Sequence, residues 1–158
     1  MIDEPWLLLV DDSPHDRELA VRTLDRARLP GRVETARDGR EALDLLLCQG
    51  DWAGRDRADR PRAVVMDVKM PMLGGIDVLR ELKRHPDLSD VPVVMLTSSA
   101  EQTDLDACYA LGANSYIVKP VEIETFFQTV LAIGRYWLVL NLAPREKRHG
   151  IAVAAADR

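Results

Sequence analysis

No apolar run in this sequence approaches the roughly 20 residues needed to cross a bilayer, so a membrane-spanning helix is not expected. Basic charge is in deficit: Lys and Arg total 21 against 26 Asp and Glu, a formal net charge of −5. That balance disfavours direct nucleic-acid binding, which usually asks for a basic domain. The first residues, Met1-Ile2-Asp3-Glu4-Pro5-Trp6, are acidic where a secretory signal would be basic. Cysteines are scarce. Cys48 and Cys108 stand far apart, each inside an apolar helical pattern, and read as small core residues rather than a disulfide or metal pair. A reducing, cytoplasmic setting is the expectation. His15, His85 and His149 share no metal-ligand spacing and read as solvated.

What is present fits one globular domain. The 158 residues are 47% apolar and 30% charged, in the range of a soluble protein with a full core. Trp6-Leu7-Leu8-Leu9-Val10 is apolar without alternation, the pattern of a strand buried on both faces. Asp11 and Asp12 close it. Ser13-Pro14-His15-Asp16 then reads as a helix start, with Ser13 as N-cap, Pro14 at the first helical position and Asp16 as the capping-box acid. A weaker strand follows over 32–36, a turn at Asp38-Gly39, and a helix over 41–48. Residues 49–61 mix Arg and Asp around a single large apolar residue, Trp52. They read as a charged, solvated loop, longer than the usual connection of about 4–6 residues.

The third strand runs over 63–67, and Gly74-Gly75 opens the next helix, which stops near His85-Pro86. The fourth strand is expected over 91–96, with Pro92 tolerated near its start. It ends at Thr97, and Ser98 or Ser99 caps the following helix. Ser115 to Val118 is a fifth strand ending at Lys119-Pro120, and a last helix is expected over 122–140. Five repeats of strand then helix imply a doubly wound α/β fold, a parallel sheet with helices on both faces.

In a parallel sheet all strands point their C-terminal ends one way. Asp11 and Asp12, Asp67, Thr97 and Lys119 should therefore meet at one edge, where ligands of such sheets bind. Three carboxylates placed together raise one another's pKa unless a cation intervenes. Lys119 and a divalent ion would supply that charge, and an oxygen-only ligand set suits Mg²⁺. The chemistry this permits is phosphoryl transfer onto a carboxylate. Asp67 would be the nucleophile, with Lys119 and the metal neutralising the phosphoryl oxygens and the Thr97 hydroxyl bonding one of them.

The motifs Leu-Val-Asp-Asp, Met-Asp-Val-Lys-Met-Pro with the Gly-Gly that follows, Leu-Thr-Ser and Tyr-Ile-Val-Lys-Pro fall in order at these strand ends. Over about 6–140 the chain resembles the receiver domain of bacterial two-component response regulators. The resemblance implies a flavodoxin-like sheet of order 2-1-3-4-5 with Asp67 as phospho-acceptor. It implies Asp12 as a direct Mg²⁺ ligand, Asp11 acting largely through metal-bound water, and the Lys69 backbone carbonyl as a further ligand beside Asp67. Thr97 and Lys119 would contact the phosphoryl group, and Tyr116 would be the aromatic switch residue that follows Thr97. It also implies a cis Lys119–Pro120 bond and a histidine kinase as phosphoryl donor.

Ser13-Pro14-His15-Asp16, the long loop before the third strand, Asn114-Ser115-Tyr116 and Tyr136-Trp137-Leu138 are similar to the small response regulators paired with phytochrome-type kinases. That narrower likeness implies a stand-alone receiver over 1–144, without an output domain and often homodimeric. Residues 145–158 are expected to be a disordered tail. In the last helix Ile123, Phe126, Phe127, Val130, Gly134 and Trp137 form a stripe that the core explains, while Leu131, Tyr136, Val139, Leu140 and Leu142 lie off it. A second apolar face calls for a partner, and Phe127, Leu131, Tyr136, Trp137 and Leu140 are the expected dimer contacts.

Two other function classes compete. A haloacid-dehalogenase-type phosphatase would want a second Asp two residues after the nucleophile, and position 69 is lysine. A degenerate receiver acting only as a binding module would not be expected to keep Asp11, Asp12, Asp67, Thr97 and Lys119 together. The expectation is therefore a non-enzymatic signalling switch.

Overall fold

Strand β1 (Trp6–Val10) is buried at every residue and lies in the interior of the sheet. In the computed structural model, which describes residues 4–144, five parallel strands follow the order β2-β1-β3-β4-β5. The others are β2 (Arg32–Ala36), β3 (Ala63–Met66), β4 (Val93–Thr97) and β5 (Ser115–Val118). Register is continuous across the middle: Leu8 pairs with Glu34 on one side and Val64 on the other, and Val65 pairs with Val94.

Strand alternation sorts the apolar residues into two cores. Trp6, Leu8, Val10, Val64, Met66, Val93 and Met95 face one layer, formed with helices α2 (Gly39–Leu46) and α3 (Gly75–Arg84) and with Cys108 of α4 (Gln102–Ala110). Leu7, Leu9, Val65, Val94 and Leu96 face the other, formed with α1 (Pro14–Ala27) and α5 (Ile123–Arg135). Each fully buried aliphatic side chain contributes about 1.5–3 kcal/mol. This is the expected doubly wound fold. Among the described residues, no helix is long and apolar enough to cross a membrane.

Several boundaries differ from the sequence expectation. Asp38 and Gly39 are the N-cap and first residue of α2, because the Asp38 side chain accepts from Glu41 N at 2.8 Å. Pro92 precedes β4 rather than lying inside it; lacking an N–H, it joins the sheet only through its carbonyl, which accepts from Val64 N. Helix α4 has Glu101 as N-cap instead of Ser98 or Ser99, since the Ser99 hydroxyl donates to Asp104. Helix α5 ends at Arg135 and passes into a π-turn (Tyr136–Leu140), closed by Asn141 N on the Tyr136 carbonyl at 2.6 Å. Ile123, expected in the core, is 53% exposed because it is the first residue of α5, at the sheet's edge, while Phe126, Val130 and Gly134 are buried. Cys108 is fully buried, its thiol pushed up to about 11 by burial, and both cysteines are free. Cys48 is only half-buried just beyond α2, in a left-handed conformation. The expected tail over 145–158 lies outside the described residues.

The charged segment over 49–61 is not a free solvated loop. Trp52 packs back on the first core. Arg55 forks onto Glu34 of β2 with two 2.8 Å contacts, and its guanidinium lies 4.9 Å from the Trp6 ring centroid. Asp59 accepts from Trp6 Nε1 at 2.8 Å and pairs with Arg32, itself 5.2 Å from the same ring. Buried Trp6 needs a partner for its indole N–H, and the loop provides it. Arg55, Asp59 and Arg60 make tertiary contacts that sequence spacing does not reveal, while Asp51, Asp56 and Arg57 are exposed as expected of a surface loop.

Arg55 is only 19% exposed along its side chain, so its pairing is shielded more than a surface ion pair. Arg55→Ala should cost about 2 kcal/mol by loss of a charged fork and a cation–π contact. Arg55→Lys should recover less than half of it, since an ammonium cannot reproduce the fork. Urea unfolding checks this; a solvated loop would give no change.

Candidate functional site

The carboxyl ends of β1, β3, β4 and β5 deliver their next residues to one edge. Asp11 follows β1, Asp67 follows β3, Thr97 ends β4 and Lys119 follows β5. All three polar residues from the interior strands are buried. Asp67 is fixed by backbone: its N donates to the Val10 carbonyl at 3.0 Å. Behind it α3 approaches so closely that a Cβ at Gly75 would lie 2.0 Å from the Asp67 carbonyl oxygen. The second glycine of the Gly-Gly pair is thus required for contact, beyond any role in starting a helix.

Lys119 Nζ stands at the centre. It lies 2.6 Å from Asp11 Oδ2, 3.0 Å from Asp16 Oδ2 and 3.1 Å from Asp67 Oδ2. Burial opposes its charge, but hydrogen bonds to Asp11 and Asp16 and the charges of Asp11 and Asp67 outweigh it, so its pKa stands above the ordinary 10.5. Burial lifts the Asp11 carboxyl above the usual carboxylate value, against the pull of Lys119 and of the Ser13 amide. That amide donates to Asp11 Oδ1 at 2.9 Å, and Arg17 Nη1 donates to the Asp11 carbonyl at 2.6 Å.

Asp12 is exposed, yet its carboxylate joins the group: one oxygen from each of Asp11, Asp12 and Asp67 lies within 4.8 Å of the others. Three hard oxygen donors in reach of one point fit a divalent cation of the Mg²⁺, Ca²⁺ or Mn²⁺ type.

Thr97 Oγ1 accepts from Ser99 N at 3.2 Å, which leaves the hydroxyl hydrogen for another acceptor. Tyr116 is half-buried, and its hydroxyl donates to the Ser99 carbonyl at 2.8 Å. Burial raises its phenol above the ordinary value. Lys69 is exposed and its ammonium sits 3.3 Å from Glu101; such a pair is worth little. The Lys119–Pro120 bond is trans, not cis, as are all peptide bonds among the described residues. Trans is the lower-energy form of X–Pro by about 0.5–1 kcal/mol. Lys119 N donates to the Thr97 carbonyl at 2.7 Å.

Of the residues expected at the site, the strand-end groups are brought together. The expected contact residues on α5 and the π-turn lie elsewhere: Phe127 and Trp137 pack against the second core, Leu131 is half-buried, and Tyr136 and Leu140 are exposed at 48% and 69%. One neighbour was missed. Asp16 does not complete a capping box: Ser13 Oγ accepts from Asp16 N at 3.2 Å, while the Asp16 carboxylate turns to Lys119. Its position one turn into the helix that begins at the acidic edge is the only sequence signal for this.

The chain belongs to the response regulator receiver domain family, whose pattern matches residues 7–131. It is thus a receiver-domain response regulator of two-component signalling. It is 38% identical over 143 residues to the probable methanogenesis regulatory protein FilR2 of Methanothrix harundinacea (strain 6Ac), covering 90% of each chain. It is 34% identical to response regulator Rcp1 of Synechocystis sp. (strain ATCC 27184 / PCC 6803 / Kazusa), over 84% of this chain and 88% of that one. The Mn²⁺-bound structure of Rcp1 superposes with a TM-score of 0.82 at 33% identity, covering 89% of this chain and 99% of the other. The phosphorylated cyanobacterial phytochrome response regulator RcpA gives a TM-score of 0.83, also at 33% identity and with the same coverage.

A lysine whose folded pKa is raised contributes its full stability below 10.5 and loses it as the pH climbs through the folded value. Lys119 is 9% exposed along its side chain, and its removal strands Asp11 and Asp67. Lys119→Met should cost about 3 kcal/mol at neutral pH. The difference from wild type should shrink above pH 10.5, and shrink in acid as Asp11 takes a proton earlier than an ordinary aspartate. Urea unfolding in EDTA across this pH range checks both limbs.

Proposed function

We propose that this protein is a phosphorylatable switch that accepts a phosphoryl group on Asp67 from a sensor histidine kinase. The observation that carries this reading is the placement of one Asp67 oxygen 3.1 Å from Lys119 Nζ, within a cluster of three carboxylates. Asp67 needs no general base, because a carboxylate is already a nucleophile near neutral pH. Its oxygen attacks phosphorus while the bond from phosphorus to the donor imidazole nitrogen breaks, and the electron pair leaves with the histidine.

Lys119 then exchanges its bond to the Asp67 carboxylate for one to a phosphoryl oxygen, and Thr97 donates its free hydroxyl hydrogen to another. Asp11, Asp12 and Asp67 would hold Mg²⁺, with the Lys69 carbonyl as a further ligand. When bound, that ion supplies positive charge to the phosphoryl oxygens. Tyr116 reads the event through Ser99: movement of Thr97 toward the phosphoryl group shifts the Thr97–Ser99 turn, whose carbonyl the phenol grips. Phosphorylation so biases a two-state element.

The likeness to Rcp1 and to the phytochrome response regulator RcpA supports a phytochrome-type kinase as donor. The apolar C-terminal surface supports a homodimer. Tyr136, Val139, Leu140 and Leu142 are exposed together on or just beyond the π-turn, and a patch of this kind is what a second copy would cover.

With Mg²⁺ and acetyl phosphate, intact-mass measurement should show one added phosphoryl group, absent in Asp67→Asn. No adduct on the wild type would sink the switch reading, and steady release of phosphate from many esters would favour a phosphatase instead. Leu140→Glu places a charge on the exposed C-terminal surface without touching the core. Sedimentation should show it monomeric where the wild type is dimeric; equal sedimentation of the two would rule that surface out.

A further inference from the structure

Asp16 sits in the first turn of α1, yet its carboxylate reaches Lys119, 103 positions along the chain. A lysine ammonium has three N–H donors, and three carboxylates surround this one: Asp11, Asp16 and Asp67. Two of the three also belong to the group with Asp12 whose oxygens converge within 4.8 Å; Asp16 does not. A dication held there draws on the charge of Asp11 and Asp67 and repels the ammonium. A phosphoryl group on Asp67 removes that carboxylate altogether. The phosphoryl oxygens then accept from Lys119 in place of the Asp67 carboxylate, and Asp16 is the one carboxylate that serves Lys119 without also belonging to the metal group.

The local backbone is built for this division. Ser13 Oγ caps Asp16 N, which fixes the start of α1. Ser13 N is already taken by Asp11, so the Asp16 carboxylate is not needed to close a capping box. At 30% exposure the Asp16 side chain is not compelled by burial to pair; it bonds Lys119 because the flexible lysine stem brings the ammonium to it.

We propose that Asp16 is a positioning residue that holds the Lys119 ammonium over Asp67 while the metal and the phosphoryl group take up its other two partners. This rests on the reading of Asp67 as phospho-acceptor. Without Asp16 the ammonium, repelled by the dication, is less firmly held over Asp67 until the phosphoryl oxygens arrive.

The test uses the full chain, with Asp16→Asn and Asp16→Glu made in the wild type and Asp16→Asn also made with Lys119→Met. At fixed Mg²⁺ and acetyl phosphate, Asp16→Asn should slow phosphorylation about tenfold, and Asp16→Glu should recover most of the rate. In the Lys119→Met background the same Asp16→Asn change should alter the rate by less than about twofold, because a residue acting through Lys119 has nothing left to position. In EDTA, with no metal or phosphoryl donor, urea unfolding of the four proteins of the cycle should show the two positions coupled by about tenfold in the folding constant. Equal phosphorylation of wild type and Asp16→Asn, an equal loss in both backgrounds, or no coupling in EDTA would each overturn the positioning role. A wild type that takes up no phosphoryl group would instead overturn the phospho-acceptor reading, leaving the EDTA coupling as a separate result.

Discussion

A single ammonium holds this sheet edge together. Lys119 Nζ lies within 3.1 Å of carboxylates that follow β1, open α1 and follow β3. Each of those acids is delivered by a different part of the chain, and Asp11 and Asp67 are buried beside each other against that charge. The polar residues at this edge are close to the deepest apolar ones: Asp67 follows Met66, and Thr97 follows Leu96. The same burial that would penalise an unpaired acid makes a paired one responsive. A change at Asp67 is therefore felt at Lys119, and through Lys119 at two other acids.

The backbone around the cluster leaves little slack. Asp67 is tied to β1 by its own N–H and backed by Gly75 at a separation that no side chain at position 75 would allow. Thr97, Ser99 and Tyr116 form a chain of two hydrogen bonds leading away from the site. The rigid parts are strands and a helix start; the parts able to move are a hydroxyl, a phenol and a short turn. That is the division a switch needs, with a fixed receiver of charge and a lighter element that reports it.

Most of this edge was legible in the sequence because a parallel sheet converts strand ends into neighbours. Asp11, Asp67, Thr97 and Lys119 required only that the four runs preceding them be recognised as strands and aligned. Asp16 was not legible in the same way. Its place three residues after Ser13 fits a capping box, and local chemistry hides a partner 103 positions away. The segment over 49–61 failed for the same reason: Arg55 and Asp59 look solvated until Glu34, Arg32 and the Trp6 indole are placed opposite them. Ile123 was misjudged because helical spacing gives the direction of a side chain and says nothing about where the helix begins relative to the sheet.

The grip of that segment on β2 bears on aggregation. A parallel sheet has two open margins, and here they are unlike. The β2 margin carries Arg32 and Glu34, both engaged by charged groups of the 49–61 segment. The β5 margin reads Ser-Tyr-Ile-Val, has no charge, and exposes Val118. Charged residues discourage the addition of a foreign strand and their absence invites it. Partial unfolding that frees the 49–61 segment would weaken the guard on the β2 side and leave both margins without charged cover.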